Sequence, residues 1–334
     1  VECDAVPLSV GNSVASASSK REQKYSHILV VDFECTCDSG EPNYPHEIIE
    51  FPVVAIDTYS GKVVAEFRTY IRPVRNPKLT EFCSTLTGIH QEDVNDAPTM
   101  VGALDLFDNW LRATFLPIVV ESEMDLAAQK AGNASSRSSK RDVSHSPGES
   151  EKEVTLIDHE KEMRVHDLYQ RMMDPQPASA SPPLPFIFAT DGPTDMRHFM
   201  YNCHVVRDGI NFPPYFYRWL NVRRAYADHF RTKPESLLKM LRRLGMQFHG
   251  QHHCGLDDAR NIARVTVALA QRGHRLQHVS SIPFPCSADL QAQRMASELM
   301  MDLGEDDPDI GKQRNPHTGS KKQSESRRRG GKHQ

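Results

Sequence analysis

Four acidic side chains and one histidine occupy positions in this sequence where a catalytic site can form. Asp32 and Glu34 belong to a strongly apolar segment, Asp191 ends a second apolar segment, and Asp258 lies near the start of a helical pattern. Strand C-termini and helix N-termini are where the sites of α/β proteins collect. Four carboxylates meeting there would repel one another, and hard divalent cations such as Mg²⁺ or Mn²⁺, which prefer oxygen ligands, would stabilise them.

These residue types predict hydrolysis of a phosphodiester bond. Two divalent ions roughly 3.5 to 4 Å apart form the clamp that many nucleases use. His253 precedes Asp258 by five residues, and its neutral imidazole could take a proton from an attacking water. Each residue also has an ordinary structural explanation, such as an ion pair, a helix cap or a loop histidine. The prediction therefore depends on the set and not on any one member.

The elements that must position these groups are strands followed by helices. Asp32 and Glu34 are two residues apart, so on a strand they share a face. The apolar residues before Asp32 predict a buried strand, and so does the segment from Phe186 to Asp191. The runs 47–57 and 62–71 are typical of a hairpin. Strands first and then alternating helices and strands predict an α/β fold.

Helical spacing of apolar residues predicts further elements along the chain. A helix is expected after the Pro98-Thr99 pair, and another from near Pro193 to about Asn202. The remaining expected elements are a strand at about 219–223 and helices at 235–244 and 256–272.

Composition and charge exclude several classes of protein. The chain of 334 residues carries 40 Lys and Arg against 44 Asp and Glu, a net charge of -4, so any nucleic-acid site must be local. No apolar run reaches the length that a membrane helix needs. Seven scattered cysteines without Cys-x2-Cys spacing argue against a zinc site and favour a reducing, intracellular location, cytoplasmic or nuclear.

Changes in composition divide the chain into segments. We expect a disordered N-terminus at 1–25, a catalytic domain at 26–280 and a polar tail at 281–334, acidic and then basic. A largely disordered insertion at about 121–185 is expected to interrupt the domain, with one amphipathic helix containing Val154, Ile157, Val165, Leu168 and Met172. The insertion and the basic tail are candidates for binding a protein or RNA partner.

Four motifs occur in an order that a known enzyme family shares. They are Asp32-Phe-Glu-Cys-Thr-Cys37, Glu81-Phe-Cys-Ser-Thr-Leu-Thr-Gly-Ile89, Thr190-Asp-Gly192 with Asp195-Met196, and His253-Cys-Gly-Leu-Asp-Asp-Ala-Arg-Asn-Ile-Ala263. This arrangement resembles the DEDDh 3′-to-5′ exonucleases, most closely the branch of the histone-mRNA 3′ exonucleases and enhanced-RNAi exoribonucleases. The resemblance implies an RNase H-like fold with a five-stranded mixed sheet flanked by helices.

The resemblance also implies roles for individual residues. Asp32, Glu34, Asp191 and Asp258 would be ligands of two Mg²⁺ or Mn²⁺ ions, with Glu34 near the leaving oxygen and His253 as general base. Phe82, Leu86 and Thr87 match the family segment that packs on the terminal nucleotide.

The sequence therefore predicts a metal-dependent 3′-to-5′ exoribonuclease that releases nucleoside 5′-monophosphates from RNA with a single-stranded 3′ end. Two alternatives stay open at this point. One is an exonuclease acting on single-stranded DNA, and the other is a non-catalytic RNA-binding adaptor.

Overall fold

The computed structural model describes residues 23–41, 43–135, 149–174 and 184–285, with side chains described for all of these except 131–135 and 149–157. The described residues belong to one compact unit, Val1–Arg294. The predictions for the N-terminal segment and for the tail beyond residue 285 lie outside the described residues. No described helix is long and apolar enough to cross a membrane.

The described part of the chain forms one mixed sheet of seven strands, β1 to β7. They span His27–Val31, Glu34–Cys35, Ile48–Asp57, Val63–Tyr70, Phe186–Thr190, Arg218–Asn221 and Val279–Ser281. Strand β3 pairs antiparallel with β1, β2 and β4, whereas β1–β5 and β5–β6 are parallel pairs. The α/β fold is confirmed, and the expected number of five strands is too low.

The two additional strands are short, and this explains the difference in strand number. Val31 pairs with Val53 and Glu34 pairs with Glu50 on the same neighbour, so β2 continues the line of β1 after a break at Asp32 and Phe33. Strand β7 has three residues and closes the far edge of the sheet against β6. Neither is long enough to leave a period-2 pattern in the sequence.

Helices cover both faces of the sheet. Helices α1 to α8 span Glu81–Thr87, Gln91–Asn95, Met100–Trp110, Leu116–Ser135, Glu149–Met173, Val222–Phe230, Leu237–Arg243 and Gly255–Gln271. Two π-helices span Leu111–Phe115 and Asp195–Arg207. The expected helices after Thr99, near Pro193 and at 235–244 and 256–272 are thus all present, whereas α1, α2 and α6 were not anticipated.

Two apolar cores lie on opposite faces of the sheet. The first joins β1, β3 and β5 to α3 through aromatic residues that include Phe51, Phe107 and Phe188. The second joins the sheet to α6, α7 and α8. Strands β1 and β5 are buried along their whole length, as expected for central strands with both faces covered.

The described part of the region at 121–185 differs from the expectation of disorder, because it is helical. Helix α4 extends into it, and α5 contains the predicted amphipathic helix. Leu168 and Met172 are buried in the first core, and Lys161 on α5 contacts Glu121 on α4 at 2.8 Å. Apolar packing of this kind stabilises a helix whose surface composition is otherwise polar. The domain boundaries at 26 and 280 stay predictions.

Candidate active site

Three of the predicted ligands meet at the break between β1 and β2. Asp32 lies in the break, Glu34 begins β2, and Asp258 lies in the first turn of α8. One carboxylate oxygen from each of these residues lies within 4.8 Å of the others. Glu34 and Asp258 are buried. The packing of one helix N-terminus against one strand end therefore assembles an oxygen-only group of the kind that hard divalent cations prefer.

The surroundings of the three acids disfavour their charged forms and raise their pKa values. Burial, followed by the charge of Asp195, raises the pKa of Asp32 well above its usual range. Burial and then the charge of Glu50 do the same to the pKa of Glu34. Burial raises the pKa of Asp258 to about 7. A bound divalent cation would relieve this repulsion and desolvation, so the residues fit a metal site.

Asp191, the fourth predicted ligand, is not a member of this close group. It follows β5, it is buried, and its Oδ2 accepts hydrogen bonds from both Nε and Nη2 of Arg223, the first at 2.8 Å. Its Oδ1 has no hydrogen-bond partner among the described residues. Burial raises the pKa of Asp191, and the Arg223 guanidinium opposes that shift.

A second acid near the same strand end was not predicted as a site residue from the sequence. Asp195 is the first residue of the second π-helix and is buried. Its Oδ1 accepts a hydrogen bond of 2.9 Å from the backbone N–H of Phe33, the residue between Asp32 and Glu34. Burial raises the pKa of Asp195 to about 7. The place of Asp195 at a helix start within the third motif could have identified it as a site residue. Asp191 was predicted instead because it ends an apolar strand.

His253 lies beside the acids in an uncommon backbone conformation. Its φ is 67°, in the left-handed region, and its N–H donates to Asp258 Oδ2 at 2.6 Å. Its ring contacts that of His252, with ring centroids 4.0 Å apart. Burial and then His252 lower the pKa of His253, so its imidazole is neutral near pH 7, as a general base requires.

His252 was not among the predicted site residues, but it also approaches the acids. Its Nε2 lies 3.9 Å from Asp258 Oδ1. Burial lowers the pKa of His252 as well, although Asp191 opposes the shift. Two neutral imidazoles therefore lie at the edge of the carboxylate group.

Helix α1 carries the residues predicted to pack on a nucleotide. Thr80 caps α1 and also donates to the backbone carbonyl of Cys37, so the helix lies against the segment after β2. Phe82 is 37% exposed and Leu86 is half-buried. Thr87 is only 3% exposed, and its hydroxyl donates to the Cys83 carbonyl. Phe82 and Leu86 thus offer apolar surface, whereas Thr87 serves the helix itself.

Comparison with known proteins finds nucleases that are similar to this chain. Residues 29–118 match the family model described as Exonuclease, or RNase T. The human protein named 3′-5′ exoribonuclease 1 is 29% identical over 265 residues, which cover 78% of this chain and 57% of that protein. The chain therefore spans little more than half the length of this relative.

Two solved structures are similar in fold and sequence. One is described as the nuclease domain of 3′hExo, a DEDDh family member, bound to rAMP. It is 27% identical with a TM-score of 0.54, and the match covers 77% of this chain and 98% of that one. The other concerns recognition of a histone mRNA stem-loop by a 3′-exonuclease. It is 26% identical with a TM-score of 0.52, over 81% of this chain and 75% of that one. The predicted resemblance is thereby confirmed: this chain matches the Exonuclease family model over residues 29–118 and is similar in sequence and fold to a DEDDh nuclease domain.

Proposed function

We propose that this chain is a metal-dependent 3′-to-5′ exoribonuclease that shortens RNA with a single-stranded 3′ end and releases nucleoside 5′-monophosphates. The proposal depends mainly on one observation. Carboxylate oxygens of Asp32, Glu34 and Asp258 lie within 4.8 Å of one another at the break between β1 and β2. Similarity to the human protein named 3′-5′ exoribonuclease 1 supports RNA as the substrate.

The proposed cofactors are two Mg²⁺ or Mn²⁺ ions, for which a fourth carboxylate is needed beside the three. Asp191 was predicted for that place from the sequence, but the described contacts favour Asp195. Asp191 is already engaged by the Arg223 guanidinium, whereas the described hydrogen bond to the Asp195 side chain comes from an uncharged backbone N–H. A carboxylate paired with a cation attracts a metal less strongly. Asp195 also exerts a larger charge effect on Asp32 than Asp191 does.

The protein's side chains would divide the chemistry among them. When bound, such ions lower the pKa of the attacking water and stabilise charge on the departing oxygen. His253 would accept the proton of that water, and Glu34 would lie near the leaving oxygen. Phe82 and Leu86 would hold the terminal base by stacking and apolar contact.

Exposed basic residues lie on α6, on α7 and on the segment between these helices, after strand β6. They would bind the part of the RNA that lies beyond its 3′-terminal nucleotides. The exposed basic residues of α6, α7 and their connection are Arg224, Arg231, Lys233, Lys239, Arg242 and Arg243. Among the described residues only Arg243 of this set approaches an acid, Glu235 at 4.0 Å. Exposed cations on consecutive elements of a chain with net charge -4, five of the six without an ion-pair partner among the described residues, favour a phosphate backbone as their partner. We call this set the α6–α7 basic surface.

We also propose that the enzyme works inside the cell, in the cytoplasm or nucleus. The described cysteines Cys35, Cys37, Cys83, Cys203 and Cys254 are free thiols, which suits a reducing compartment.

The region at 121–185 and the basic tail are proposed as sites for a protein or RNA partner.

The test is digestion of 5′-labelled RNA with a 3′ overhang, beside its DNA counterpart, in Mg²⁺, Mn²⁺ or EDTA. We expect a ladder of RNA shortened from the 3′ end that disappears in EDTA and in Asp32→Ala. A ladder on DNA alone would replace the RNA substrate with DNA. No ladder from folded protein would favour the non-catalytic adaptor, and near wild-type activity in Asp32→Ala would overturn the site assignment.

A further inference from the structure

An ion pair between a buried carboxylate and a partly exposed guanidinium adjoins the carboxylate group, and it takes no part in the proposed hydrolysis. Glu50 in β3 is completely buried and pairs in register with Glu34 of β2. Its Oε1 accepts a hydrogen bond of 2.7 Å from Nε of Arg68, which belongs to β4 on the other side of β3. Its Oε2 accepts a hydrogen bond of 3.1 Å from the backbone N–H of Gly255, the first residue of α8.

Arg68 is itself held in place. Its Nη2 donates to the Tyr70 hydroxyl at 2.8 Å and lies 4.0 Å from Cys254 Sγ. Its guanidinium also lies over the Tyr70 ring, 4.8 Å from the ring centroid. Because Cys254 is the N-cap of α8, Arg68 contacts the residue that starts the helix as well as the carboxylate bound to that helix.

The start of α8 packs very closely on the break between β1 and β2 that contains Asp32. A Cβ atom at Gly255 would meet the Asp32 carbonyl oxygen at 2.6 Å and Glu50 Oε2 at 3.2 Å. The first N–H groups of a helix have no partner within the helix, and a carboxylate there is favourable. Glu50 thus binds the helix start at the point where it touches Asp32, three residues before Asp258.

A helix cap does not by itself explain a charged residue at this position. The side-chain oxygen of Gln could accept the Gly255 N–H without a charge, and a further buried anion raises the pKa of Glu34. Burying a charge is costly unless it is paired, and Arg68 supplies that pairing. The pair therefore links β4, β3 and the start of α8.

We propose that Glu50 and Arg68 are positioning residues of the metal site: the pair holds the first turn of α8 against β1 and β3, so that Asp258 stays within reach of Asp32 and Glu34. The proposal rests on the function proposed above, since it concerns the same site.

An effect of charge alone and an effect of positioning predict opposite changes in cation binding when Arg68 is replaced by a neutral residue. Removing the positive charge of Arg68 makes the site more negative, which by itself would tighten cation binding. Loss of positioning would weaken cation binding instead. Arg68→Met keeps much of the side chain's apolar stem, so it separates the two effects.

The experiment measures Mn²⁺ binding to the full chain without RNA, by electron paramagnetic resonance. We expect Glu50→Gln, which leaves one acceptor oxygen in place of the two that bind Arg68 and Gly255, and Arg68→Met each to weaken binding by about 10-fold or more, the usual effect of removing the groups that orient metal ligands. Arg68→Lys keeps the charge but loses the planar fork that holds both contacts, so its affinity should lie between those of Arg68→Met and wild type. If Arg68→Met does not fold, Arg68→Lys decides the question.

Glu47→Gln is the matched control. Glu47 is also a buried Glu, and its carboxylate accepts backbone hydrogen bonds from Val74, Arg75 and Asn76, away from α8. Its replacement should leave Mn²⁺ affinity unchanged even if thermal stability falls. An equal loss of affinity in this control, or unchanged or tighter binding in Arg68→Met or Arg68→Lys, would overturn the positioning role.

The digestion assay on the unaltered chain separates this proposal from the proposed function. If the unaltered chain digests RNA and binds Mn²⁺ while Arg68→Met and Arg68→Lys bind as it does, only the positioning role fails. If the unaltered chain neither binds Mn²⁺ nor digests RNA, the proposed function fails and the positioning proposal fails with it.

Discussion

Arg223 at the start of α6 donates two hydrogen bonds to Asp191 at the end of β5. This contact gives Asp191 a cationic partner that the neighbouring Asp195 lacks among the described ion pairs. Two acids that follow the same strand therefore differ in their surroundings, and we expect them to differ in function.

Replacing each acid by its amide should distinguish them. We expect Asp195→Asn to lower kcat by about 10²-fold or more, a typical loss when a group that stabilises the transition state is removed. Asp191→Asn should cost about tenfold or less, since it removes one side of an ion pair that is partly exposed through Arg223. The measurement is kcat on a short labelled RNA at saturating Mg²⁺, and the reverse order would restore Asp191 as the fourth ligand.

Stability without metal should depend on pH through the carboxylate group. The folded-state pKa of Asp258 is raised to about 7, so its protonated form is favoured in the folded protein. The stability linked to this group is fully present below the unfolded pKa of about 4 and is lost as the pH rises through about 7.

The measurement is urea unfolding in EDTA at several pH values. The free energy of unfolding of the unaltered chain should fall, relative to that of Asp258→Asn, between about pH 4 and pH 7. Added Mg²⁺ should restore the loss at a pH of about 7.5, because an ion that binds the folded state stabilises it. A difference that does not change with pH would show that the pKa of Asp258 is not raised in the folded protein.

The two histidines should contribute unequally to turnover. His253→Ala should lower kcat by about 10²- to 10⁴-fold, the usual effect of removing a general base. His252→Ala should cost less, because the contribution of His252 is to lower the pKa of His253. Profiles of kcat against pH test this: activity should decline on the acid side as the base becomes protonated, and His253→Ala should lose that decline. A larger loss in His252→Ala would assign the base to His252.

Two substitutions in helix α1 should have different effects, one on substrate binding and the other on the stability of the helix. Phe82→Ala should weaken binding of the RNA 3′ end by about 1 to 3 kcal/mol, since base stacking on an exposed ring is removed. Thr87→Ala should lower the melting temperature and leave the KM for RNA nearly unchanged, because its hydroxyl bonds within the helix. KM values and thermal unfolding curves for both variants give the comparison, and a changed KM in Thr87→Ala alone would reverse it.

The α6–α7 basic surface should bind the body of a long RNA. Changing Arg224, Lys239 and Arg242 to Glu should weaken binding of an RNA of about 20 nucleotides, and the salt dependence of binding should become less steep by about 0.7 for each phosphate that is no longer neutralised. Cleavage of a dinucleotide should be unaffected, because its phosphate lies at the carboxylate group. Equal effects on both substrates would show that the change disturbs the site itself.

The sequence by itself determined the elements whose patterns are local. The apolar runs of β1 and β5, the β3–β4 hairpin and the periodic apolar face of α8 all lie within a few residues of where we expected them. The Asp32 and Glu34 pair could be chosen as site residues because two charged side chains in an otherwise apolar strand need compensation. Local patterns report burial and periodicity, and these properties were sufficient for the fold class.

Only the tertiary structure decided which groups face one another. Asp191 and Asp195 follow the same strand, and their difference depends on a guanidinium 32 residues further along the chain and on the backbone N–H of Phe33. In the sequence, Glu50 looks like any polar residue of a hairpin strand. Its hydrogen bond to the start of α8 is visible only in the structure. Helix α5 has a polar surface composition, and burial of Leu168 and Met172 supplies its stabilisation. The electrostatics of a site and the packing of a helix depend on contacts between distant segments, and a local pattern does not contain them.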